Sequence, residues 1–526
     1  MFNLNKIGNI ESMSLLKSAA VVSVLTLVSR MFGYVRDMII ANKLGTGGIA
    51  DAFIIAYRLP NFFRQLTAEG AVNNSFVPIF SGKLIAEGKE ESSKFASMVL
   101  GWLVVIVFCL TIMMIIFMPN IMNVLALGFK SDKEKMSNVI EFGRIVFPYL
   151  LLVSIISLFS GILQSLGKFA VAAIVPALLN IGMIIALVWG SQYTETPAHA
   201  LCYGILIAGV IQAVILYFSV KKNGIFVKLA LPKITADTKL LSKRMLPGII
   251  GGGVMQLNVL IDNIIGTTIS SAVSYLYYAD RLTQFPLALV GTALGIAMLP
   301  SLSKFVKAEN YIEASKIQNR AIEVALFLIV PAALGFLLLS SELIDLMFRH
   351  GAFNYDSVKG TAATLAVLSL GLPAFVMVKV FLPSFFAAGD TKTPVKIALL
   401  CLTVNTVSAL ILTRFIGYLG LALSTILSSW INVACLVSKL TKDKVFIIDQ
   451  ELKQAALKIL ISAVTMIVTI VVLKYILALN LLGLSSGLLP FFNLAILLGV
   501  GGGSYLLAAY FLGSLKAIYG MWQGKA

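Results

Sequence analysis

At 526 residues, 59% hydrophobic and 12% charged, the chain carries about half the charge density of a soluble protein, in which roughly a quarter of residues are charged. Its formal charge of +17 sits mostly in short segments between apolar runs, so membrane topology accounts for it and a nucleic-acid partner is excluded. Those runs, about 20 residues each and recurring end to end, define an all-α polytopic membrane protein; a transmembrane barrel would alternate apolar and polar residues with period two. The four cysteines (Cys109, Cys202, Cys401, Cys435) lie in apolar runs without metal spacing. With only His199 and His350 to supply imidazole, a metal centre or a Ser-His-Asp site is not expected. No GxxxxGK[ST] phosphate loop is present, which argues against ATP hydrolysis by that route. The polar start MFNLNKIGNIES does not have the form of a cleavable signal peptide.

Fourteen spans are expected, centred near residues 28, 64, 106, 154, 180, 208, 256, 288, 331, 373, 404, 429, 464 and 500. The first contains SRMFGYVRD, with Ser29, Arg30, Arg36 and Asp37. If Lys17 marks the cytoplasmic end, Arg30 lies ~20 Å deep at 1.5 Å per residue. An arginine there costs ~2.5–3.5 kcal/mol to insert, so it must face a partner or a wet cavity. Arg30 and Asp37, seven apart, share one helix face; Arg36 is turned away from Arg30. The second span repeats this spacing in Asp51 and Arg58, then has Pro60, expected to kink or break the helix, followed by Arg64 and Glu69.

The loop SQYTETPAH (191–199) has no Lys or Arg, whereas residues 221–244, after the sixth span, hold seven. A short interfacial amphipathic helix is expected there. Loops following even-numbered spans are the basic ones, which places them and both termini in the cytoplasm. In the seventh span, Gly251–Gly253 reads as close packing or a hinge. Asp262 follows, with Asn258 and Asn263 nearby; taken with Asn405 of the eleventh span, these are either a sodium site or a hydrogen-bonded packing cluster. The eighth span brings Asp280 and Arg281.

The chain repeats itself. AYRLP (56–60) matches YADRL (278–282), and FVPIFS (76–81) matches MLPSLS (298–303); Pro148, Gly167 and Asn180 line up with Pro373, Gly389 and Asn405. Each repeat holds six spans, an even number, so both share one orientation and are related by an axis along the membrane normal. Two six-helix bundles rocking about a central cavity are expected, with the last two spans left over. The arginines of the first, second and eighth spans are either internal ion pairs and snorkelling side chains or the lining of an anion cavity. Arginine suits the second role, since its planar fork matches carboxylate or phosphate oxygens and stays protonated. Snorkelling fits Arg30 and Arg281 less well, because it covers only a few ångströms.

LLKSAAVVSVLTLVSRMFGYVRD, DAFIIAYRLPNFFRQLTAEGAVNNSFVPIF, YYADRLTQFP and DTKTPVKIA together resemble the MurJ (MviN) family of bacterial lipid II flippases, over nearly the whole chain from Met13. The resemblance implies an extension at 1–12, a lobe of six helices at 13–222, a cytoplasmic linker with an amphipathic segment at 223–240, a second lobe at 241–445, and two helices at 446–526 that form a groove for the lipid tail. It implies no enzyme activity and no organic cofactor. The substrate would be lipid II, an undecaprenyl-diphosphate-linked disaccharide-peptide, moved to the outer leaflet of the cytoplasmic membrane by alternating access around a cationic cavity. Membrane potential or a Na+ or H+ gradient would drive the step. The family's charged positions correspond to Arg30, Arg36, Arg64 and Arg281 as substrate ligands. Ser29, Asp37, Asp51, Arg58, Glu69 and Asp280 would support charge and gating. Asp262 and Asn405 match part of a sodium site, with Ala409 where a further acid is expected. A monomer associated with the cell-wall synthesis machinery is implied. The same fold also carries flippases for other undecaprenyl-diphosphate-linked glycans and cation-coupled multidrug antiporters; a non-transporting scaffold would leave mid-membrane arginines without a purpose.

Overall fold

In the computed structural model, which describes residues 4–65, 73–478 and 489–514, the apolar runs fold into nineteen α-helices, and no β-strand occurs among the described residues. The all-α membrane class expected from composition is the class observed. All fourteen expected span centres fall on helical backbone. Length and composition support fewer crossings: ten helices among the described residues qualify, or eleven if the bent pair Tyr355–Ser369 and Leu372–Ala387 is one span.

The chain forms two compact units, residues 1–273 and 274–526. The first contains α1 (Leu4–Leu44), α2 (Gly48–Arg64), α3 (Asn73–Ala86), α4 (Gly88–Ile116), α5 (Met118–Leu125), α6 (Lys133–Val146), α7 (Tyr149–Ser165), α8 (Phe169–Val188), α9 (Pro197–Lys222) and α10 (Ala236–Gly266). Here α1 lies along α8, α8 along α9 and α2 along α6, while α3, α4 and α9 surround α7. In lipid there is little hydrophobic gain from pairing helices, so close backbone approach through small residues has to hold them together. Gly182 faces Ala208 and Gly204 faces Ala186 across α8 and α9, and a Cβ on either glycine would collide with the facing alanine. By sequence repeat α10 opens the second half, yet it packs on α3 and α5 of the first unit. Gly251–Gly253 lie within its continuous helical run.

The second unit contains α11 (Ala272–Pro286), a π-helical turn (Leu287–Thr292), α12 (Ala293–Lys307), α13 (Tyr311–Phe348), α14 (Tyr355–Ser369), α15 (Leu372–Ala387), α16 (Lys392–Ile416), α17 (Leu419–Lys442), α18 (Gln450–Ala478) and α19 (Leu489–Phe511). The internal repeat is visible down to individual turns. α7 ends at Gly167 with φ +71° and α15 ends at Gly389 with φ +73°. Each turn is closed by the next residue's N–H donating five residues back, Lys168 to Leu163 and Asp390 to Phe385. That is a Schellman closure, and its left-handed position favours glycine. The connection after α9 is tied to α4 by the Phe226 N–H donating to Ser93 Oγ (3.1 Å), and the connection after α17 is tied to α13 by the Ile447 N–H donating to Ser315 Oγ (2.8 Å). α18 and α19 pack against each other and against α13. Tyr505 Oη donates to the Phe327 carbonyl (2.9 Å), and Lys474 Nζ reaches the Leu338 carbonyl where α13 departs from helical geometry at Leu339.

Within the stretch 221–244, where an interfacial helix is expected, regular helix is confined to the end of α9 and the start of α10. Residues 225–235 have no regular structure, and helix resumes only at Ala236. Gly224 turns the chain with φ +83°, and the N–H groups of Phe226 and Lys228 bond to Ser93 and Ser97 of α4 instead of to their own helix.

Candidate functional site

The charged residues of the first span sit on α1 where it runs along α8. Arg36 is buried, and its guanidinium is committed: Nε and Nη2 donate to Asp37 Oδ1 (2.9 and 2.7 Å), and Nη1 donates to Asn180 Oδ1 of α8 (2.7 Å). Asn180 turns its Nδ2 to the Ser29 carbonyl (3.0 Å). Ser29, Arg36, Asp37 and Asn180 are each at most 9% exposed. Asp37 takes its sequence neighbour Arg36 rather than Arg30, two turns away. A long arginine side chain spans the 100° between adjacent helix positions, and two N–H groups on one carboxylate oxygen outweigh a more distant partner. Arg30, by contrast, is exposed, and it makes no ion pair or side-chain hydrogen bond to another described residue.

Asp51 is buried in the first turn of α2. Arg58 and Arg64 are half-buried, and Arg64 Nε donates to Asn61 Oδ1 (3.0 Å). Of the kink or break expected at Pro60, the break does not occur. Helical backbone continues through Pro60 to Arg64. Glu69 lies outside the described residues.

In the second unit Arg281 is half-buried on α11. Its guanidinium carbon lies 4.7 Å from the Tyr277 ring centre, and Nη2 donates to Tyr277 Oη (3.3 Å). Tyrosine thus holds the fork in place by cation–π attraction without neutralising it. Asp280 accepts from Thr283 and Gln284 of its own helix (3.3 Å each). Sequence reading passed over two residues. Asn180, noticed only as a repeat marker, is the hub of the α1–α8 contact. Lys379 is an exposed cation eight residues into the otherwise apolar α15. Its stem lies beside Gly291 of the π-helical turn, and its carbonyl leaves no room for a side chain at Gly295. A lysine inside an apolar run was itself the available signal, and π-helical turns recur at functional positions.

Asp262 is half-buried on α10, in the first unit, and Asn405 is fully buried on α16, in the second. Ala409, also fully buried, offers no side-chain oxygen. No group of three or more His, Cys, Asp or Glu converges among the described residues.

A family model described as lipid II flippase MurJ matches residues 40–489. The chain is 37% identical over 467 residues to a probable lipid II flippase MurJ of Rhizobium tropici, covering 88% of both chains. It is 32% identical over 443 residues to a lipid II flippase MurJ of Burkholderia cenocepacia, covering 82% of this chain and 85% of the other. A solved lipid II flippase MurJ in an inward closed conformation superposes with a TM-score of 0.77 at 25% identity, over 94% of this chain and 99% of that one. An inward-facing MATE family multidrug transporter of the MOP superfamily shares the fold, with a TM-score of 0.68 at 14% identity over 83% of this chain. An all-helical membrane fold of this kind is shared by a solved lipid II flippase and by multidrug transporters, and is that of a transporter rather than an enzyme. Within that class, the chain belongs to the lipid II flippase MurJ family.

Proposed function

We propose that this protein carries lipid II from the inner to the outer leaflet of the bacterial cytoplasmic membrane by alternating access. The observation that carries the proposal is the contrast on α1 between a locked arginine and an open one. Arg36, whose Nε, Nη1 and Nη2 are spent on Asp37 and Asn180, fixes α1 against α8. Arg30, one face over, is exposed and is the group that meets the diphosphate. Arg281, steadied by Tyr277, and Lys379 supply cations from the second unit, and Arg64 assists during closure. Asp51 holds neighbouring arginines in place. In this reading Arg36 positions the site, and Arg30 and Arg281 bind.

The lipid tail stays in the bilayer beside α18 and α19. Both termini are cytoplasmic, and the working unit is a monomer that serves the cell-wall synthesis machinery. Membrane potential is the proposed drive, because an inside-negative potential favours outward movement of an anionic headgroup. The MATE likeness concerns the fold alone and does not favour drug exchange.

The test is lipid II translocation by purified protein in liposomes. Arg30→Ala is expected to lower the rate by about a hundredfold, the loss of a charge-assisted bidentate contact worth ~1.5–3 kcal/mol together with desolvation of the unpaired phosphate. Arg30→Lys, which keeps the charge but loses the fork, is expected to recover only part of it. Wild-type rates in both variants, with normal folding, would refute the assignment of Arg30. An equal rate for another undecaprenyl-diphosphate-linked glycan would move the substrate away from lipid II.

A further inference from the structure

We infer that the groove where residues 224–233 cross the beginning of α4 binds the phosphate headgroup of an anionic membrane phospholipid. The cavity there is about 840 Å³, and its lining includes Lys89, Ser97, Met98, Phe226, Lys228 and Lys233. That volume is within the range of small-molecule pockets.

Its cations are not equivalent. Lys94, on the same rim, is neutralised by Glu90 and Glu91 (3.2 and 2.8 Å). Lys89 gives one proton to the Asn223 carbonyl (3.0 Å) and keeps two. Lys228 and Lys233 are exposed, and their ammonium groups make no ion pair or hydrogen bond to any described residue. The groove therefore has a surplus of positive charge with donors still open.

Its greasy side points to a lipid rather than a soluble anion. Phe226, Leu229, Leu231 and Ile234 are between 57% and 82% exposed on this short segment. Lysines interleaved with exposed apolar side chains are the composition of a segment lying in the membrane–water interface. Depth is marked independently by Trp102 of α4, whose indole N–H donates to the Lys233 carbonyl (3.0 Å). Tryptophan concentrates at headgroup level.

The internal repeat supplies a control within the molecule. The matching connection between α17 and α18 is seven residues long, against thirteen between α9 and α10. Both are anchored by the same serine bond. The repeat thus closes without the added residues, which bring Lys228, Leu229, Leu231, Lys233 and Ile234 to the groove. Lysines close to an anionic leaflet attract its lipids strongly enough to select them.

The experiment uses the full chain with Trp189, Trp430 and Trp522 changed to Phe, so that Trp102 alone fluoresces, in nanodiscs of neutral lipid. Brominated phosphatidylglycerol should half-quench Trp102 at about a tenfold lower mole fraction than brominated phosphatidylcholine. Lys228→Gln/Lys233→Gln should remove the difference with the thermal midpoint unchanged. Lys239→Gln/Lys243→Gln, at exposed lysines of α10 outside the groove, should keep it. Equal quenching by the two lipids in the parent protein would overturn the proposal. So would loss of the preference in both double variants, which would reduce it to general attraction, or its relief by millimolar inorganic phosphate, which would make the groove a site for a soluble anion.

Discussion

Asn180 occupies a position in α8 where an apolar side chain would pack more cheaply, and it satisfies two groups of α1 at once. Its Oδ1 takes the third Arg36 donor and its Nδ2 binds the Ser29 carbonyl. Asn180→Leu strands a charged donor in a buried setting, which costs ~1.5–3 kcal/mol. A clear fall in the thermal midpoint of purified protein is expected, together with slower flipping as α1 loses its register. An unchanged midpoint would mean that Arg36 finds another acceptor. The sequence showed which residues were charged but not which would pair. A seven-residue interval put Arg30 and Asp37 on one helix face, whereas side-chain reach joins Arg36 to Asp37 in the fold. Asn180 was visible only through its match to Asn405, because its partners lie 144 and 151 positions away.

Helix positions were legible from hydropathy because each span has to satisfy its own backbone in lipid. Their ends and connections were not. The segment after α9 alternates basic and apolar residues and reads as an amphipathic helix, but the two serine hydroxyls of α4 hold it extended. Nothing local to the segment announces them. Elsewhere a motif that carried the family resemblance has a plain structural meaning. In DTKTP, Asp390 Oδ1 accepts the N–H of Lys392 and of Thr393 (3.0 and 2.9 Å), two of the four donors that the start of α16 leaves without helical partners. Asp390→Ala should cost about 1 kcal/mol. The Thr393 hydroxyl and backbone N–H hold the Asp390 carboxyl below the ordinary carboxylate range. A lowered folded value means that the contribution is complete above the unfolded value of about 3.9 and disappears as pH falls through the folded one. The stability gap between wild type and Asp390→Ala should therefore stay constant from pH 7 to 5 and narrow below about 4. A gap that does not change with pH would assign the loss to packing.

For the molecule as a whole, composition fixed the class and the repeat fixed the order of elements, but which unit α10 joins could not be read from either, since packing partners are not encoded in hydropathy. At this scale the driving force becomes testable. Each elementary charge moved across 100 mV is worth ~2.3 kcal/mol, and an inside-negative potential favours outward movement of an anionic headgroup and inward return of an empty cationic site. Dissipating the potential with ion gradients held constant should slow flipping in liposomes, and an unchanged rate would exclude the potential as the drive. The neighbouring positions of Arg36 and Asp37 also bear on biogenesis. As the nascent chain leaves the ribosome, α1 must enter the bilayer before α8 exists. Because the two opposite charges are adjacent in sequence, they can neutralise each other within the emerging helix. Only the Asn180 bond must wait for another 144 residues, about 7–30 s of synthesis at ~5–20 residues per second. The insertion machinery therefore receives one uncompensated charge from Arg30 at this depth, rather than three.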